Sequence, residues 1–183
     1  MSLRAALVLA GAALAGCGGG APPSVQVVRV PHADATAFGI GDGRVMTVAH
    51  VLAGGGPVRV GERSARVLRV DRRLDVAVLA IRGEGSGVRG GAAAAGDRVT
   101  VHVLRSGRER SLPATVRRTI TARVGGETRP ALELAAAVMP GDSGAPVVDD
   151  RGRLVGVVFA EASDRDAVAY ALDARALGSM LKR

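Results

Sequence analysis

The chain has little that could staple, stack or metallate it. One cysteine, Cys17, stands among 183 residues. That excludes an internal disulfide and leaves the fold to be held by packing alone. There is no tryptophan, one tyrosine and two phenylalanines. So few rings argue against an aromatic platform for bases, and no nucleic-acid partner is expected. Three histidines and one cysteine offer no metal-ligand cluster, so neither a metal nor another cofactor is expected. Lysine occurs once, at Lys182, and the formal charge of +8 is therefore almost all arginine. The arginines are scattered, which reads as the composition bias of a GC-rich genome and not as a patch for an anionic partner.

A long apolar span is missing too. The run Ala5 to Ala15 is too short to cross a bilayer. Arg4 precedes it and Leu14-Ala15-Gly16-Cys17 follows, the pattern of a bacterial secretion leader ending in a lipobox. Residues 1–17 are therefore read as a lipoprotein signal, with lipid on Cys17. The mature chain is expected outside the cytoplasm, anchored to a membrane by that lipid, or secreted if the lipobox is not used. Residues 18–24, Gly-Gly-Gly-Ala-Pro-Pro-Ser, read as a flexible tether of about 25 Å when extended.

What is present is apolar and β-branched. Hydrophobic residues make up 48% of the chain, enough for a core of Val, Leu and Ala. Beyond the tether, short apolar runs alternate with Gly, Asp and Pro breaks. Six fall in residues 25–82: Val25–Val30, Ala37–Gly41, Val45–Val48, Pro57–Val60, Ala65–Val70 and Val76–Ile81. A Gly- and Ala-rich stretch, 83–96, reads as a linker. Seven more runs fall between residues 97 and 172, among them Ser111–Arg117 and Thr119–Val124. Short strands at even spacing predict an all-β sandwich or barrel. Ala49 to Leu52 predicts one helical turn. Asp173 is placed to cap a last helix, Ala174 to Leu181.

The chemistry gathers around Val138 to Val148, Val-Met-Pro-Gly-Asp-Ser-Gly-Ala-Pro-Val-Val. A serine in a glycine turn can be approached from the open side while backbone N–H groups converge on one point. Its hydroxyl needs a base, and the base needs an orienting acid. Upstream stand Thr47-Val48-Ala49-His50 and, later, Leu74-Asp75-Val76-Ala77-Val78-Leu79, each beside an apolar strand. His32 and His102 have no such setting and are read as structural or surface residues.

The order His50, Asp75, Ser143 and the three local motifs together resemble the trypsin/chymotrypsin-like serine proteases. Gly156-Val157-Val158-Phe159-Ala160 and the short loops make the style closest to actinobacterial membrane-associated periplasmic serine proteases linked to acid resistance. The resemblance covers about Ala35 to Leu177. It implies two six-stranded antiparallel β-barrels, about 25–82 and 97–172, with the short C-terminal helix closing a domain over 25–183. It implies a serine endopeptidase acting on a protein or peptide substrate, with the triad in the cleft between barrels. The oxyanion donors would be the backbone N–H groups of Gly141 and Ser143. The substrate pocket would have Ala137 at its base and Phe159, Ala160 and Glu161 along one wall, which predicts small or medium apolar residues before the scissile bond. Asp142 is expected to find a side-chain or backbone partner instead of a freshly cut N-terminal amine. Ala145 departs from the pattern, standing where a second glycine is common. Two other readings use the same residues: a catalytically silent binding module on the protease fold, and an esterase running on the same triad.

Overall fold

Twelve strands carry almost all the regular structure in the computed structural model, which describes residues 23–83, 87–162 and 165–181. Cys17, the leader and most of the tether lie outside the described residues. Barrel one is built from β1 (Val25–Val30), β2 (Ala33–Gly41), β3 (Arg44–Val48), β4 (Val58–Val60), β5 (Arg63–Asp71) and β6 (Val76–Ala80). Its strands close in the order β1-β2-β3-β6-β5-β4. Barrel two has β7 (Arg98–Arg105), β8 (Arg108–Val124), β9 (Glu127–Ala135), β10 (Pro146–Val148), β11 (Leu154–Glu161) and β12 (Val168–Asp173). It closes as β10-β11-β12-β9-β8-β7. All the ladders are antiparallel, as hairpin connections of a few residues require. The β2–β3 turn uses three left-handed residues, Gly41, Asp42 and Gly43, so Gly-Asp-Gly suits it.

Every apolar run of the first half is a strand. In the second half the runs Ser111–Arg117 and Thr119–Val124 are one strand, the 17-residue β8. No Gly or Pro separates them. Instead the register against β9 shifts between Val116 and Arg118, a bulge that bends the strand without ending it. The last helix is also shorter than the sequence suggests. Asp173 does cap it, accepting from the Arg175 N–H at 2.9 Å, but the element is a 3-10 turn over Ala174–Leu177. Lys182 and Arg183 lie outside the described residues.

Alternation decides the cores. In β7, Val99, Val101 and Val103 are buried while Arg98, Thr100 and His102 are not. β3 and β6 are buried along nearly their whole length because they lie between their own barrel interior and the neighbouring structure. One apolar cluster joins the barrels: Leu154, Leu172, Leu177 and Met180 pack with Phe38, Val45, Met46 and Leu79. The linker runs beside barrel two, with Gly91 N–H donating to the Leu154 carbonyl at 2.7 Å.

The closest approach between barrels is polar. Thr36 on β2 donates its N–H to the Ser143 carbonyl at 2.7 Å and its hydroxyl to the Gly141 carbonyl at 2.9 Å. The Thr36 carbonyl in turn accepts from the Thr47 hydroxyl at 2.8 Å. Gly144 has φ +90°, and a Cβ there would lie 1.9 Å from the Thr36 oxygen.

Two substitutions test these contacts. Gly144→Ala should destabilise the chain by more than about 2 kcal/mol and expose the Thr36 amide to hydrogen exchange, since the barrels can no longer close on each other. Leu177→Ala should cost about 2–5 kcal/mol in urea denaturation, because the 3-10 turn places Leu177 in the shared core.

Candidate active site

His50 begins a 3-10 turn immediately after β3, so its backbone leaves the sheet at the rim of barrel one. Asp75 sits one residue before β6, the partner of β3. The turn leading to it is shaped by Asp71, whose carboxylate accepts from the Leu74 N–H at 2.9 Å. Asp75 itself has φ +60°, an uncommon angle for a residue with a side chain. Both its oxygens are used on His50. Oδ1 accepts from the His50 backbone N–H at 2.9 Å, and Oδ2 faces ring Nδ1 at 2.8 Å. A carboxylate at Nδ1 puts the proton on that nitrogen and leaves Nε2 as the basic one. The Asp75 side chain is only 11% exposed, whereas that of His50 is 52% exposed.

Ser143 stands in the loop between β9 and β10. Gly141 and Gly144 on either side have φ +94° and +90°, which lets the loop reverse within four residues. Backbone bonds pin it: Asp142 N–H to the Met139 carbonyl, Ala145 N–H to the Asp142 carbonyl and Gly144 N–H to the Val158 carbonyl on β11. The N–H groups of Gly141 and Ser143 have no acceptor among the described residues. Asp142 is buried and held by Arg105 of β7 at 2.6 Å and by the Met139 N–H at 3.0 Å. It thus has both a side-chain and a backbone partner. Ala145 is fully buried and lies outside the left-handed region, so its methyl group is accommodated.

Of the sequence-derived residues, the structure brings His50 and Asp75 into direct contact. Ser143 is across the barrel boundary, and its hydroxyl makes no hydrogen bond to His50 among the described residues. Beside Ser143 is a small cavity of about 50 Å3, walled by Val138, Pro140, Val158, Ala160 and Glu161. Ala137 is not on its wall; the Ala137 carbonyl accepts from Arg105 at 3.0 Å. Phe159 is not on it either. The ladder between β11 and β12 shifts register between Val158 and Ala160. A bulge there re-aims the intervening side chain, and Phe159 lines a separate groove of about 750 Å3 with His50, Asp75, Leu52, Val70 and Val124.

The same groove contains a residue that sequence reasoning passed over. Arg129 on β9 is only 4% exposed, and its Nη1 lies 3.3 Å from Asp75 Oδ2. Its guanidinium stands 5.3 Å over the Phe159 ring. The available signal was alternation: Arg129 falls two residues before the fully buried Ala131, on the same face of the strand. His102 is part of barrel two, 3.3 Å from the Ser111 hydroxyl, and burial holds its imidazole below the usual range against a smaller opposing pull from Glu109. Among the described residues no cluster of His, Cys, Asp or Glu is arranged to hold a metal.

The profile of the trypsin-like peptidase domain matches residues 35–157. Serine protease Rv3671c of Mycobacterium tuberculosis is 32% identical over 171 residues, covering 82% of this chain and 42% of that protein. The chain therefore spans well under half the length of that relative. The solved active form of the Rv3671c protease superposes with a TM-score of 0.77 at 31% identity, over 87% of this chain and 79% of that one. The inactive form gives 0.75 at 32%, over 87% of each. The HtrA-type protease AlgW, solved with a decapeptide, gives 0.75 at 19% over 88% of this chain and 64% of that one, a likeness of fold alone. With His50 held by Asp75 on one closed barrel and Gly-Asp-Ser-Gly on the other, and with two thirds of its length matching the profile, the chain belongs to the trypsin-like peptidase family of serine proteases.

Proposed function

We propose that the chain is a serine endopeptidase that cuts peptide bonds through His50, Asp75 and Ser143, at the outer face of a membrane to which Cys17 anchors it. The observation that carries this reading is the two-point hold of Asp75 on His50 at 2.9 and 2.8 Å, which fixes ring orientation and tautomer together. In this mechanism Ser143 Oγ attacks the substrate carbonyl as Nε2 of His50 takes its proton. The imidazolium so formed is stabilised by Asp75, and it returns the proton to the leaving amine. The unspent N–H groups of Gly141 and Ser143 receive the oxyanion, at about 3–4 kcal/mol per donor. The serine–histidine contact is commonly long in a free enzyme and tightens once substrate excludes water.

The small cavity beside Ser143 is the expected seat of the residue preceding the scissile bond. About 50 Å3 suits a small side chain. It favours Ala or Val. A substrate Arg or Lys side chain is longer than that space holds, even with the Glu161 carboxylate on its wall.

Four experiments check these statements. A fluorophosphonate probe should label the protein at Ser143 and not label Ser143→Ala; an unlabelled wild type would point to the silent binding module. Ser143→Ala and His50→Ala should each lower kcat on a peptide substrate by about 10⁶, and Asp75→Asn by about 10⁴. Esters cleaved while a peptide library stays intact would favour the esterase instead, and dominant cleavage after Arg or Lys would overturn the pocket assignment. Cys17→Ser should move the protein from the membrane fraction to the soluble one; unchanged fractionation would remove the anchor.

A further inference from the structure

Arg129 has no evident task in holding barrel two together. Its side chain is 4% exposed, and a buried cation without a partner is costly. Among the described residues Asp75 is the carboxylate within ion-pair distance of it, and Asp75 belongs to the other barrel. The contact is not a well-made hydrogen bond. At 3.3 Å Nη1 is off line, and both Nη1 and Nε lack a hydrogen-bond partner. The guanidinium is held instead by packing, over the face of Phe159, as cation–π contacts allow. It therefore acts on Asp75 chiefly as a placed charge.

Asp75 is the group that needs such a charge. It is strained at φ +60°, nearly buried, and has both oxygens committed to His50. Strained residues persist only where their surroundings over-determine them. The strands that place Arg129 and Phe159 also place the serine loop: Phe159 is on β11, which takes the Gly144 N–H on Val158. We infer that Arg129 is a positioning residue of the triad, holding the Asp75 carboxylate of barrel one in fixed relation to the barrel that carries Ser143. The inference rests on the functional reading above and deepens it. Arg129 touches no reacting atom; it acts through Asp75.

The charged groups that share the groove wall with the Asp75–His50 pair are Arg72 from the turn before β6, and Arg129 and Glu127 from β9, of which Arg129 is within ion-pair distance. A cation beside the pair disfavours an extra proton on it, whichever of the two would take that proton. Removing the cation should then move the acid limb of the rate profile to higher pH. A residue that merely fills space would leave that limb in place.

The test is a set of purified variants of the whole chain. Arg129→Met keeps the stem and loses the charge, and Arg129→Gln is a second neutral variant should Met not fold by urea denaturation. Arg129→Lys keeps the charge. The neutral variants should lose about 10²-fold in kcat on a peptide substrate with little change in KM, and their acid limb should move to higher pH. Lys should restore the limb. In an Asp75→Asn background, Arg129→Met should cost nothing further. A neutral variant with an unmoved acid limb, or an equal loss in the Asp75→Asn background, overturns the inference while leaving the protease reading intact. A wild type without peptide or fluorophosphonate reactivity would sink the protease reading instead. The inference is then read without turnover, by the NMR signal of the His50 Nδ1 proton that faces Asp75: at fixed pH it should shift in the neutral variant and return with Lys, and an unchanged signal overturns it.

Discussion

The carbonyl of Thr36 lies so close to Gly144 that no side chain fits between them. This contact sets the distance between two barrels that no disulfide ties. It brings the Thr36 N–H onto the Ser143 carbonyl and its hydroxyl onto Gly141, so the serine loop takes its position from barrel one. Asp75, in the opposite sense, meets a cation sent from barrel two. Each half of the site is thus steadied by the other half. A fold lacking disulfides and nearly lacking aromatics manages this with a threonine, a glycine and an arginine, set in a core of Val, Leu and Ala that runs across the boundary.

Much of this was legible in the chain. The strands of barrel one coincide with short β-branched runs, because Gly and Asp turns mark their ends. The pairing of His50 with Asp75 was legible because each stands in a distinctive local motif. The errors have physical causes. Residues 111–124 looked like two strands because the period breaks at Val116 to Arg118, and a bulge breaks a period without breaking a strand. Phe159, which the family resemblance placed on the pocket wall, lines the groove beside His50 and not the cavity beside Ser143, where the register slips between Val158 and Ala160. The C-terminal segment has a good cap in Asp173, but a cap starts a helix and cannot prolong one. The residues after it make a single 3-10 turn.

Arg129 and Arg105 show a further limit of composition. Against a background rich in arginine, no single one stands out, and scatter along the sequence suggests solvent-facing charge. These two nonetheless reach buried acids, Asp75 and Asp142. Buried ion pairs of this kind add little net stability over apolar packing. Their value is geometric: an unpaired partner would be expensive, so the arrangement that pairs them is strongly preferred. That preference fixes orientation in a site where a small rotation of a carboxylate would spoil it.

The bond between Arg105 and Asp142 reaches beyond local geometry. Both residues are internal to barrel two and are synthesised with it, so the serine loop is braced as soon as that barrel forms. Asp142 thus has its cation from within the barrel, and an ammonium arriving from elsewhere would meet a carboxylate with both oxygens already engaged.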